Sequence, residues 1–168
     1  MPTLFDWMVR DNPGYDPDRI GAISQAKVLA ALTVAGKVVL APCVNVRPYD
    51  FVLEEDGRFF RVQCKTGRLF RGAVCFRPHR LRAAKRATGW ERRVTDYQGV
   101  VDYFGVYCPE NDNVYLVPID VVTTPRICTL RVTPARNNQS SRIRWARDYL
   151  VVPPDAHQRT MAEGLNSD

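Results

Sequence analysis

The segment YDFVLEEDGRFFRVQCKTG, Tyr49–Gly67, holds two strands and the turn that joins them. Asp56-Gly57 is the strongest short-range signal for a tight hairpin, because the favoured two-residue turn needs both central residues at positive φ. With that pair at the centre, Asp50 falls directly opposite Gln63. Side chains alternate along a strand, so Gln63 and Lys65 share a face with Asp50 and Val52. Tyr49, Phe51 and Leu53 join Phe60, Val62 and Cys64 on the other face. One face is thus core, and the other carries an acid, an amide and an amine.

Two readings of that trio stand. An amphipathic hairpin with a solvated polar face explains it with an Asp50–Lys65 ion pair of about 0–1 kcal/mol. Alternatively, a carboxylate and an amide oxygen are hard ligands suited to Mg²⁺, which takes few protein ligands and keeps its waters. A neighbouring ammonium then orients a water or stabilises charge building on a phosphate. That second set is a metal-dependent phosphodiesterase in outline.

Outward from the hairpin, the chain reads as one α/β domain, 1–168, with a core at about 18–150, an N-terminal arm and a C-terminal tail. Its 168 residues are 45% hydrophobic and 25% charged, enough to bury a core, and the formal charge of +6 favours a polyanionic partner. No apolar run is long enough for a membrane helix, and the first residues lack the layout of a secretion signal, so a cytoplasmic protein, prokaryotic or phage-encoded, is expected. The five cysteines, Cys43, Cys64, Cys75, Cys108 and Cys128, are widely spaced. They read as reduced thiols in strands rather than a zinc or disulfide framework.

A helix is expected from Asp18 as its cap, through Val28, Leu29, Leu32 and Ala35 at helical spacing, to Gly36. KVVLAP reads as a short buried strand. GAVCFR (72–77), YFGVYC (103–108) and VYLVP (114–118) read as further strands, the last two joined by the turn-rich PENDN. After Thr129 come a strand in LRVTP and a helix in RIRWARDYL (142–150). A mixed central sheet flanked by helices is the outcome.

The blocks GAISQAKVLAAL, RPYDFVLEEDGRFFRVQCKTG, DYFGVYCPENDNVYLVP and RNNQSSRIRWARDY, in that order over about Gly21 to Tyr149, resemble the PD-(D/E)XK endonucleases found with group I introns and their actinobacterial and phage relatives. The resemblance implies a restriction-endonuclease-like core, Mg²⁺-dependent cleavage of DNA, and catalytic roles for Asp50, Gln63 and Lys65, with Gln-x-Lys in place of the commoner Glu-x-Lys. It also implies an acid on the first helix, where this chain has Gln25. Gln25 is expected on the helix face that packs toward the sheet, as a third oxygen ligand beside Asp50 and Gln63. Losing a carboxylate there weakens metal binding, so a non-catalytic DNA-binding protein on a nuclease fold is the alternative function. By analogy with nucleases that cut both strands, a homo-oligomer is expected.

Basic residues crowd the segment between the third and fourth strands: Arg77, Arg80, Arg82, Lys85, Arg86, Arg92 and Arg93, with Trp90 and Tyr97 among them. Phosphate contact is the functional reading and a solvated helix the plain one. Arg142, Arg144 and Arg147 form a second patch or a helix anchored by Trp145. Asn138 and Gln139, with Arg136 and Asn137, either touch bases or sugar or cap the following helix.

Overall fold

The structure is a computed structural model; it describes residues 16–44, 47–86, 89–124, 126–134 and 143–151, with the backbone alone for 81–86 and 89–93. Helix α1 runs Pro17–Val34. Asp16 caps it rather than Asp18: its Oδ1 accepts from the N–H groups of Asp18 at 3.0 Å and Arg19 at 3.2 Å. Pro17 follows at the first helical position, where a missing N–H costs nothing. At the other end the chain leaves the helix through Gly36 at φ 74°.

The strands are β1 (Val38–Leu40), β2 (Phe51–Glu55), β3 (Arg58–Thr66), β4 (Arg68–Phe70), β5 (Ala73–Phe76), β6 (Arg80–Arg86), β7 (Gly89–Thr95), β8 (Tyr103–Cys108), β9 (Asn113–Pro118) and β10 (Cys128–Arg131). Among the described residues they form a five-stranded sheet in the order β1-β2-β3-β8-β9, a three-stranded sheet β10-β5-β4, and the isolated pair β6-β7. The large sheet is mixed, because β3 and β8 run parallel while its other neighbours are antiparallel. Parallel neighbours need a crossover. Here residues 67–102 supply it and hold the small sheet's first two strands and the β6-β7 hairpin.

The β2-β3 register is the one read from the sequence, with Phe51 facing Val62 and Glu55 facing Arg58. Asp56 at φ 51° and Gly57 at φ 73° make the turn. Phe51, Leu53 and Val62 are buried with Val28 and Leu32 of α1 on one face of the sheet. On the opposite face Phe104 and Val106 of β8 and Val117 of β9 pack with Val74 and Phe76 of β5 and Leu130 of β10. The sheet is therefore covered by α1 on one side and by the small antiparallel sheet on the other.

Close approach of α1 depends on Gly105 in β8. A Cβ there would lie 2.6 Å from Cγ1 of Val28. Ser24, buried on the same helix face, shares a 2.6 Å hydrogen bond with the Thr66 hydroxyl, and Lys27 reaches Asp112 in the β8-β9 turn at 2.7 Å. Asp102 braces the start of the parallel pair, accepting from the Arg61 N–H at 2.7 Å and from two atoms of its guanidinium at 3.0 Å each.

Besides the cap, three sequence expectations are corrected. The strand expected to be buried in KVVLAP is β1 at the edge of the large sheet, with Val38 and Leu40 exposed. The helix expected over 142–150 is a 3-10 turn, Ala146–Tyr149, set between two single β-bridges, Arg131 with Trp145 and Tyr115 with Leu150. Backbone pairing to strands already in place outweighs the moderate helix propensity of this stretch. The basic segment, read as a helix in its solvated form, is the antiparallel hairpin β6-β7, with Arg82 paired to Arg93 and Lys85 to Trp90.

Candidate active site

Asp50 stands one residue before β2, on the rim of the large sheet, and is partly buried. Its Oδ2 accepts the main-chain N–H of Cys64 at 2.6 Å and the Gln63 side-chain amide at 2.5 Å. The same Gln63 Nε2 donates to the Cys64 carbonyl at 3.2 Å. Val62 and Cys64 face α1, so Gln63 and Lys65, alternating with them, lie on the opposite face of β3. The Lys65 ammonium donates to the main-chain oxygen of His79 at 3.1 Å and to the Tyr97 hydroxyl at 3.2 Å, and it lies 4.6 Å from the centre of the Tyr97 ring.

Burial dominates the electrostatics. It pushes the Asp50 carboxyl above its ordinary range, against the pull of the Cys64 N–H, the Lys65 charge and the Gln63 amide. It pushes Lys65 down to about 8, against the pull of Asp50 and with a further push from Arg80. Opposite charges thus sit where each is short of water and partly sustained by the other.

The donor set suits a hard cation. One amide nitrogen points at two oxygens, the Asp50 carboxylate and the Cys64 carbonyl. Turning that amide over exchanges Nε2 for Oε1 with almost no change of shape. Three oxygens would then converge and repel one another unless a cation lay among them. Among the described residues no group of three His, Cys, Asp or Glu side chains could hold a metal.

Asp50, Gln63 and Lys65 are brought together. Gln25 is not joined to them by any hydrogen bond among the described residues. The buried stripe of α1 is Ser24, Val28 and Leu32; Gln25, one position on and so about 100° round the helix, is exposed. The expectation that Gln25 packs toward the sheet is corrected accordingly: Ser24 takes that place, bonded to Thr66, the residue after Lys65.

Of the expected DNA contacts, Arg80 is exposed at the start of β6, while Arg77 is partly buried with its Nη2 inside the protein. Arg82, Lys85, Arg86, Arg92 and Arg93 lie in the hairpin strands, of which the backbone alone is described. Arg136, Asn137, Asn138, Gln139 and Arg142 lie outside the described residues. Arg144 donates to the Thr123 hydroxyl at 3.0 Å, and Arg147 lies over Trp145 at 5.1 Å. The sequence reading missed the Cys64 main chain, whose place follows from being the middle residue of Gln-x-Lys. It also missed the His79 carbonyl and the hydroxyl of Tyr97, for which nothing local gives a signal.

Comparison with known proteins agrees with this architecture. No curated protein matches the chain at a significant level. Among solved structures the chain is similar to a bacterial homing endonuclease, I-Ssp6803I, with a TM-score of 0.60 and 22% sequence identity over 91% of this chain and 98% of that one. That likeness is one of fold. The profile of the PD-(D/E)XK endonucleases matches residues 15–152, a span that takes in α1, the β2-β3 hairpin with the trio, and the β8-β9 pair. The chain belongs to the PD-(D/E)XK endonuclease family.

Proposed function

We propose that this protein is a divalent-metal-dependent DNA endonuclease that uses Mg²⁺, with Asp50, Gln63 and the Cys64 carbonyl as the cation's ligands and Lys65 beside the attacked phosphate. The observation that carries this is the Gln63 amide spanning the Asp50 carboxylate and the Cys64 carbonyl, with the Lys65 ammonium on the same face. When bound, the cation neutralises charge on the phosphodiester and lowers the pKa of a water at the site. Asp50 is fixed by the Cys64 N–H, so its second oxygen keeps one direction. Lys65, still protonated at neutral pH because its pKa is about 8, donates to the attacking water or to a phosphate oxygen as charge grows there. Arg80 and the basic side chains of β6 and β7 contact the phosphates, and two or more copies of the chain cut the two strands of a duplex.

A second reading is favoured by a specific observation: Asp50 is the one carboxylate in the trio, and the helix position expected to hold another carries Gln25. On that reading the protein binds DNA and does not cut it.

Nicking of a supercoiled plasmid separates the two. Cleavage in Mg²⁺ or Mn²⁺ that stops in EDTA and is abolished by Asp50→Ala or Lys65→Ala is the result expected of the enzyme. Binding of the same DNA with no cleavage, in either metal and by Gln25→Glu as well, would establish the binding protein instead.

A further inference from the structure

Lys65 stems from β3, yet its ammonium is held by another part of the chain. Its two acceptors are the His79 carbonyl at 3.1 Å and the Tyr97 hydroxyl at 3.2 Å. His79 immediately precedes β6, and Tyr97 stands two residues beyond the end of β7. Both are therefore feet of the basic hairpin. Among the described residues β6 and β7 pair with each other and with no other strand, so these feet are where the hairpin is fastened to the core.

Tyr97 is itself anchored. It is 4% exposed, with its ring edge-on to Phe104 at 5.5 Å, in the apolar cluster with Phe76 and Val101. Phenylalanine would fill such a place without the cost of burying a hydroxyl. The hydroxyl here is turned to Lys65, and the ring face lies under the same ammonium. A four-carbon stem ending in a compact charge has many rotamers, so a lysine that acts at one point needs fixed acceptors. Arg80, at the same foot, lies close enough for its charge to bear on Lys65.

We propose that Tyr97, with the His79 carbonyl, is the positioning residue for Lys65 and fastens that lysine to the base of the DNA-contacting hairpin; this rests on reading the trio as a site of DNA hydrolysis. A movement at the feet of the hairpin shifts both acceptors, so the placement of the hairpin on DNA and the alignment of the lysine form one arrangement.

Tyr97→Phe tests this, because it removes one oxygen and keeps the ring in the core. The expected result is that Kd for a DNA duplex and KM for nicking stay within about twofold while kcat falls roughly tenfold or more. The Nζ resonance of Lys65, observed in EDTA without DNA, should shift in the same variant. A variant that nicks at the native rate with an unaltered Lys65 signal overturns the proposal, as does a rise in KM with kcat unchanged. If no form of the chain cuts DNA, the Lys65 signal decides. A shift in Tyr97→Phe upholds the clamp and ends the hydrolytic reading, whereas an unmoved signal ends the clamp.

Discussion

Lys65 carries its charge where little water reaches it, and this has a cost to stability that can be measured. Its pKa in the folded chain is about 8 against an ordinary 10.5. Between those values the unfolded chain binds more protons, so stability rises with pH from about 8 to 10.5, and the penalty is fully present below 8. The difference corresponds to about 3 kcal/mol. Lys65→Met keeps the stem and removes the charge, so it should stabilise the metal-free protein by about 1–2 kcal/mol at pH 7 in urea titrations, and abolish cleavage. A destabilised variant would show that the bonds to His79 and Tyr97 outweigh the burial. Gln25 poses the complementary question. Gln25 is exposed beside the buried stripe of α1 and is not joined to the trio, so Gln25→Glu should leave metal-dependent nicking within about twofold of the native chain. A rise of about tenfold or more in plasmid nicking would instead return position 25 to the site.

At the scale of elements, the β2-β3 hairpin and α1 behave differently as objects of sequence reading. The hairpin is determined locally: Asp56-Gly57 allows one turn, the turn allows one register, and the register puts Asp50 beside Gln63. The helix was legible as a helix, with Val28 and Leu32 on its buried face, but the place of Gln25 beside that face was not. A shift of one residue along it changes which side chain meets the sheet, and Val28 over Gly105 sets that choice. Gly105→Ala should therefore cost about 1–3 kcal/mol by pushing α1 from β8, read as a lower urea midpoint. The accompanying displacement of Ser24 from Thr66 would be visible as faster amide exchange in the first turns of α1. An unchanged midpoint would mean that the helix can move outward freely.

For the whole molecule, the proposed function makes DNA affinity an electrostatic quantity, set by the +6 charge and the basic hairpin. If about five phosphates are neutralised, log K should fall with log salt at a slope of roughly −4.5. Replacing Arg82, Lys85 and Arg86 together by Ala should reduce the magnitude of the slope by roughly 2.7. Fluorescence anisotropy across a salt series measures both, and an unmoved slope would assign the hairpin to some purpose other than phosphate contact. No helix among the described residues is long and apolar enough to cross a membrane.

The sequence by itself determined what depends on nearest neighbours: the hairpin and its register, the alternation that separates Phe51, Leu53 and Val62 from Gln63 and Lys65, and the β8-β9 pair. Period-two alternation and turn chemistry are local, so one chain suffices to read them. Only the tertiary structure decided that RIRWARDYL would bridge to β9 and β10 as a 3-10 turn, and that Gln25 would lie beside the buried stripe of α1. It alone brought His79 and Tyr97, 14 and 32 residues along the chain, to the ammonium of Lys65. Those choices follow from which surfaces bury each other across the crossover between β3 and β8, and no window of sequence contains both partners.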